Sequence, residues 1–324
     1  MTDQPVEFSL PQVMMTLSAV AYTYENSPLA DIRTHLIEQL ATPGYATQGN
    51  WSLFWGPGVT DQTMMYCARD TANPNRFVLS IRGTDLMDIK NWVQDLWVNL
   101  VPFHKGGEPF DGNPQISHGT LLGLNHLISM MTQTNPGDFV TAESGPNLLQ
   151  YFANRADTAE TEIIVTGHSM GACLGVVLAV WLQDVLAANG RQVTVSSCTF
   201  ASPTPGDPVF ATYAENRLGS RNQRYFNQLD IIPKAYNDIL GMKTTPTKLE
   251  FGDDIWVIPI LDEVDRLVRD SHFTHPGDHF PIQQELRTEG GWFTQAGFEH
   301  DINTYLSILG APKVENLMPP KKHK

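Results

Sequence analysis

Thr161-Glu162-Ile163-Ile164-Val165-Thr166-Gly167-His168-Ser169-Met170-Gly171-Ala172-Cys173-Leu174-Gly175-Val176-Val177-Leu178-Ala179-Val180 is a β-branched run, a Gly-x-Ser-x-Gly turn and a continuous apolar run, in that order. A buried strand that turns sharply into a helix holds its turn residue in a strained conformation, with the side chain projecting above the sheet edge. The flanking glycines let strand and helix pass close together. Ser169 therefore stands where a nucleophile would. The helix N-terminus beneath it offers free N–H groups and a positive dipole end, both suited to an oxyanion developing beside the serine. The bare pentapeptide also occurs in surface loops; a strand before it and a helix after it set this one apart.

Working outward, Leu10, Val13, Met14, Leu17, Ala21 and Tyr24 recur at helical spacing and predict an amphipathic first helix. Short strands are expected at 64–68, 77–81, 163–166, 193–200, 224–227 and 255–260, and helices at 120–131, 170–188, 208–217 and 300–309. Strands interleaved with helices predict an α/β architecture with a mostly parallel central sheet flanked by helices. No repeat or long linker divides the chain, so a single domain over 1–324 is expected. The Gly-, Pro- and Asn-rich stretch 102–117 and the long stretch 236–299 look like covers added to the core, the second a cap insertion.

With 35 acidic and 21 basic residues the formal net charge is −14. That charge argues against nucleic acid and against electrostatic docking on anionic lipid. Cys67, Cys173 and Cys198 lie in apolar surroundings without framework spacing and are expected as buried free thiols. Residues 1–7 hold two acidic side chains and no Lys or Arg, so no signal peptide is expected; cytoplasmic residence, prior processing and non-classical export all stay open. The apolar stretch 170–182 falls short of the ~20 residues that a bilayer span requires.

A serine nucleophile needs a base, an acid to orient that base, and donors for the oxyanion. In a strand–turn–helix setting of this kind the chain order is Ser, then Asp or Glu, then His. Asp230 follows the apolar strand around Arg224-Tyr225-Phe226-Asn227 and could reach the carboxyl edge of the sheet. His300 stands in Gly297-Phe298-Glu299-His300-Asp301, at the expected start of the last helix. Each has an ordinary alternative: Asp230 as a turn or capping carboxylate near Pro233, His300 as a helix-start residue without chemistry. His272, His275 and His279 compete for the role of base, and their clustering invites a metal reading. Pro276-Gly277 interrupts any helix that could align them, and no cysteine or glutamate completes a ligand set, which favours a solvated loop.

Several further stretches carry a family resemblance. Phe77-Val78-Leu79-Ser80-Ile81-Arg82-Gly83-Thr84 followed by Asn91-Trp92-Val93-Gln94-Asp95-Leu96 is similar to the oxyanion-loop and lid signature of the class 3, or fungal-type, lipases. Ser117-His118-Gly119 resembles that family's His-x-Gly-Phe element, with Thr120 and Leu121 as departures. Phe200-Ala201-Ser202-Pro203-Thr204-Pro205-Gly206-Asp207 resembles its Phe-Gly-Ser-Pro-x-x-Gly-Asn stretch, with Ala201 and Asp207 departing. Asn227-x-x-Asp230-Ile231-x-Pro233 and His300-Asp301-x-x-x-Tyr305 resemble its acid and base motifs. These stretches run in the family's order from about 77 to 309, while 1–75 is covered only loosely.

The resemblance implies an α/β-hydrolase fold and a serine carboxylic-ester hydrolase working through an acyl-enzyme, without metal or organic cofactor. It implies Ser169 as nucleophile, His300 as base and Asp230 as its acid, with Thr84 and the Met170 N–H forming the oxyanion hole. It also implies a lid over 86–96, whose Met87, Ile89 and Trp92 supply an apolar face for transient contact with a lipid interface; an ordinary packing helix is the alternative. The substrate class implied is a triacylglycerol or another apolar acyl ester, with phospholipid acyl chains (phospholipase A1) and aromatic-acid (feruloyl-type) esters as alternatives. A reading of another kind is a non-catalytic lipid-binding or interaction module on the same fold.

Overall fold

The computed structural model describes residues 7–23, 27–60, 63–83, 98–103, 112–133, 147–155, 158–245, 257–283, 291–315 and 317. In chain order the elements are α1 (Leu10–Val20), α2 (Leu29–Leu40), β1 (Trp51–Val59), β2 (Met64–Asp70), β3 (Arg76–Ile81), β4 (Leu100–Pro102), β5 (Gln115–Ser117), α3 (His118–Thr132), α4 (Leu148–Asn154), β6 (Glu162–His168) and α5 (Met170–Ala188). They continue with β7 (Thr194–Phe200), α6 (Pro208–Leu218), β8 (Asn222–Asn227), α7 (Ile239–Thr244), α8 (Val257–Val268), β9 (Asp278–Ile282), α9 (Trp292–His300) and α10 (Ile302–Ile308).

Seven strands form one sheet in the order β1-β2-β3-β6-β7-β8-β9. The pairs β1–β2 and β2–β3 are antiparallel, and β3 through β9 run parallel. Parallel strands put all their carboxyl ends at one edge, where open α/β sheets gather their functional loops. The turns after β3, β6, β7 and β8 meet there. Strands β4 and β5 form a separate two-stranded ribbon.

One face of the sheet packs Phe77, Leu79, Ile163 and Val165 against α3, α4, α5 and α6. The other face packs Tyr66, Val78, Ile164 and Phe200 against α1, α2 and α10. A parallel strand buried on both faces needs apolar residues at successive positions rather than alternate ones, which is why 163–165 reads Ile-Ile-Val. A third apolar cluster joins Ile231, Tyr236, Leu261, Val264 and Trp292 from the loop after β8, α8 and α9.

α5 is 19 residues long with a mean hydropathy of 1.8, long and apolar enough on that measure to cross a membrane, which extends the shorter stretch expected from sequence. It lies 78% buried within the protein, as the central helix against the sheet. A helix that is apolar all round is a buried one. Cys67, Cys173 and Cys198 are buried free thiols, with burial raising each thiol pKa.

Three expectations need correction. Of the segment 255–260, read as a strand, the described residues 257–260 open a helix instead: Val257, Leu261, Val264 and Val268 recur at intervals of four, three and four and form the buried stripe of α8. Pro259 sits in its first turn, where its missing N–H costs nothing. The helix expected over 300–309 is present as α10 but starts at Ile302, two residues later than expected. Asp301 adopts an extended conformation and caps α10 by accepting from the N–H groups of Asn303 and Thr304, so His300 closes α9 rather than opening a helix. Finally, 236–299 contains a piece of the core, because β9 pairs in parallel with β8 from Gln223↔Asp278 to Asn227↔Ile282. A short edge strand carrying Pro281 gives a weak sequence signal.

Candidate active site

The turn from β6 into α5 holds Ser169 at φ 60° and ψ −131°, a conformation that few non-glycine residues adopt. Two close approaches enforce it. A Cβ on Gly167 would overlap the carbonyl of Gly171, and a Cβ on Gly171 would overlap the carbonyl oxygen of Ile81 at the end of β3. Both flanking glycines are therefore steric requirements of the turn. The Ser169 N–H is fixed by the Phe200 carbonyl at 3.0 Å, and its own carbonyl receives the N–H groups of Ala172 and Cys173. Ser169 is largely buried, 8% exposed, at the carboxyl edge of the sheet. Met170 opens α5, where no preceding turn supplies an acceptor for its N–H.

Asp230 and His300, 70 residues apart in sequence, meet with His300 Nδ1 2.7 Å from Asp230 Oδ2, and both side chains are fully buried. The carboxylate is held on every side. Its Oδ1 accepts the Ile232 N–H at 2.9 Å, and its Oδ2 also accepts the Tyr305 hydroxyl at 2.8 Å. Burial, and then the negative charge of Asp230, push the Tyr305 phenol well above its ordinary pKa, so it stays a donor. The Asn227 N–H donates to the same hydroxyl at 2.9 Å. With Nδ1 carrying the proton toward Asp230, His300 keeps its lone pair on Nε2, which is buried without a hydrogen-bond partner.

Asn227 ties the acid loop to the helix that carries the base. Its Nδ2 donates to the Glu299 carbonyl at 3.1 Å and to Glu299 Oε2 at 2.7 Å, while Gln295 donates to the other oxygen of that carboxylate. Buried polar groups satisfied in this way hold one geometry, because breaking any of these bonds would leave a polar atom buried without a partner.

His168, just before the serine, packs its ring 4.5 Å from that of His300 and 5.3 Å from that of Tyr305. Burial, and then the neighbouring His300, hold its pKa well below the ordinary histidine value, so it is neutral. Tyr22, just past α1, connects this site to the turn after β3: its hydroxyl accepts the Gly83 N–H at 3.1 Å and donates to the His168 carbonyl at 3.3 Å. A Cβ at Gly83 would stand 2.6 Å from both of those oxygens and 3.1 Å from the Ser169 Cβ, so this turn lies directly against the serine.

The sequence placed Ser169, Met170, Asp230 and His300, and all four lie around this edge of the sheet. Thr84, Met87, Ile89 and Trp92, with the whole 86–96 segment, lie outside the described residues. Two of the competing histidines, His275 and His279, are engaged elsewhere. His275 donates from Nε2 to the Pro233 carbonyl at 2.7 Å, and His279 accepts from Arg224 at 2.7 Å. Among the described residues, no group of three or more His, Cys, Asp or Glu side chains is arranged to hold a metal ion. The contributions of Tyr22, His168 and Glu299 had no readable signal in the sequence, whereas Tyr305 stood in the quoted motif without a role.

The arrangement has the parts for nucleophilic catalysis: a serine hydroxyl on a strained turn, an imidazole with a free Nε2, and a buried carboxylate on its Nδ1. Comparison with known proteins agrees. The profile of the family "Lipase (class 3)" matches residues 78–239, half of the chain, and the protein belongs to that family. A phospholipase A1-II 1 from rice, Oryza sativa subsp. indica, is 26% identical over 204 residues, covering 61% of this chain and 47% of its own. The chain thus spans about half the length of the rice proteins it matches. The secreted mono- and diacylglycerol lipase LIP1 of Malassezia globosa is 24% identical over 262 residues, covering 80% of this chain and 72% of its own. Among solved structures, M37 lipase superposes with a TM-score of 0.80 at 22% identity over 94% of both chains. Lip2 lipase from Yarrowia lipolytica gives 0.52 at 17% identity over 86% of this chain and 80% of its own. The fold is accordingly the α/β-hydrolase arrangement expected from the sequence.

Proposed function

We propose that this protein is a serine carboxylic-ester hydrolase acting on acylglycerols or similar apolar acyl esters. The observation that carries the reading is the hydrogen-bonded pair of His300 and Asp230 with Nε2 unpartnered, set beside the strained Ser169. In this reading Ser169 Oγ attacks the ester carbonyl while His300 Nε2 takes its proton. Asp230 keeps Nδ1 protonated and stabilises the imidazolium that forms. The proton then passes to the departing alcohol, and water repeats the sequence on the acyl-enzyme to release the acid. The Met170 N–H, together with Thr84 on the turn after Gly83, would stabilise the oxyanion. One such donor is worth about 100- to 1,000-fold in rate.

Membership of the lipase family and the names of its relatives support lipid esters as the substrate class. The Malassezia relative is named for mono- and diacylglycerols and the rice relative for phospholipid. A lid at 86–96 with Met87, Ile89 and Trp92 on its apolar side is part of the same proposal and rests on sequence. The test is a panel of p-nitrophenyl esters from short to long acyl chains, alongside emulsified triglyceride and phospholipid, with purified protein and Ser169→Ala. Hydrolysis by the wild type that vanishes in the variant, at unchanged melting temperature, is the expected result. Equal turnover by both proteins would refute the assignment.

A further inference from the structure

The acid and the base of the proposed triad stand on separate elements, and one buried side chain joins them. Asn227, the last residue of β8, is fully buried with each of its polar groups engaged. Its carbonyl accepts the Asp230 N–H at 3.1 Å and its Oδ1 accepts the Leu229 N–H at 3.1 Å, so the turn that presents Asp230 is fixed from this residue. Its own N–H donates to the Tyr305 hydroxyl on α10, and its Nδ2 reaches Glu299 on α9.

The contact with α9 falls on the residue before the base. The last carbonyls of a helix lack intrahelical donors, and that of Glu299, 3.1 Å from Asn227 Nδ2, shares its peptide plane with the His300 N–H. Holding that plane fixes where the His300 side chain begins. Asn227 Nδ2 also donates to Glu299 Oε2 at 2.7 Å, and Gln295 Nε2, one turn earlier on α9, donates to Oε1. Glu299 is fully buried, and both of its carboxylate oxygens meet donors, a demand that an ionised carboxylate satisfies. The Asn227 amide cannot turn over to face a donor without giving up the Leu229 N–H.

We propose that Asn227 and the carboxylate of Glu299 act together as positioning residues for the base, setting His300 Nδ1 at its 2.7 Å from Asp230 Oδ2; the inference rests on the triad reading given above. Neither residue touches a reacting atom. Asp230 is registered to Asn227 through the turn and His300 to Glu299 through the helix end, so the Asn227–Glu299 bond sets the gap between acid and base. A displacement of about 1 Å in such a group can cost about 100-fold in rate. The buried clamp resists that drift, because each broken bond would strand a polar atom.

The test is a charge swap read by steady-state kinetics on a soluble p-nitrophenyl ester, with a melting temperature for each variant. Asn227→Asp sets an oxygen against the two Glu299 oxygens and is expected to lower kcat by about 30- to 100-fold, with KM within about twofold of the wild type. Adding Glu299→Gln to it restores a donor–acceptor pair with its direction reversed, and kcat is expected to recover by at least about fivefold. If Asn227→Asp does not fold, Asn227→Ser, which keeps an acceptor for the Leu229 N–H but cannot reach Glu299, must lower kcat by about tenfold or more. A bond that served stability alone would move the melting temperature and leave the kcat of the folded variants unchanged; that result, or a double variant no faster than Asn227→Asp, overturns the proposal. His300→Ala is assayed beside them. Activity retained there overturns the triad reading and this inference together, whereas activity lost there but kept at the wild-type kcat in the folded Asn227 variant overturns this inference alone.

Discussion

The Tyr305 hydroxyl donates to Asp230 Oδ2 at 2.8 Å, the same oxygen that receives His300 Nδ1 at 2.7 Å. Two donors on one carboxylate oxygen hold the carboxylate plane, and with it the direction in which the His300 ring presents Nε2. The tyrosine touches no reacting atom and acts by positioning.

Tyr305→Phe is therefore expected to lower kcat about tenfold, the weight of one hydrogen bond of about 1.5 kcal/mol to a charged acceptor, with KM little changed. Steady-state kinetics on a soluble ester check this. A change confined to KM would contradict the positioning role.

Glycines of one helix should respond in opposite ways. Gly171→Ala drives a methyl into the Ile81 carbonyl, a backbone atom that cannot move aside. A loss of at least about 3 kcal/mol, or failure to fold, is expected. At Gly175 an added methyl meets Thr199 at 3.4 Å, an ordinary contact, so Gly175→Ala should hold stability or raise it by about 0.5–1 kcal/mol through helix propensity. Urea melts of the two variants make the comparison, and similar losses in both would contradict the close approach at Gly171.

Stability should also depend on pH through buried neutral histidines. His168 and His275 have pKa values held well below the ordinary one, first by burial and then by a neighbouring basic side chain, His300 or Arg224 respectively. Below about pH 6.5 the unfolded chain takes up these protons and the folded chain does not. Stability is fully present above that pH. It should fall with acidification by up to about 1.4 kcal/mol per pH unit for each histidine, until the folded-state values are reached. Denaturation midpoints measured between about pH 7.5 and about pH 5 test the sign, and a flat profile across that window would contradict it.

Much of this site was legible in the sequence because its chemistry is local at each point. A β-branched run, Gly167-His168-Ser169-Met170-Gly171 and an apolar run describe one strand, one turn and one helix, and the order of Asp230 and His300 follows from the connection of the strands. What the sequence hid depends on distance in the chain. Tyr22 reaches Gly83 and His168 across 61 and 146 residues, and Asn227 reaches Glu299 across 72. No periodicity encodes such pairs. The break at Asp301 was hidden for a different reason: a capping aspartate at the junction of two helices reads locally like one interior residue of a continuous helix. In the same way β9, with Pro281 and exposed polar residues at a sheet edge, carries too little hydrophobic pattern to stand out from a loop.

The most direct measurement is covalent trapping of the nucleophile. The purified protein is treated with a fluorophosphonate, and the adduct is mapped by peptide mass spectrometry in the wild type and in His300→Ala. One phosphonyl group on Ser169, with labelling slowed by orders of magnitude when His300 is removed, is the expected result. An unlabelled Ser169, an adduct on another residue, or labelling indifferent to His300 would contradict the assignment of Ser169, His300 and Asp230 as a working triad.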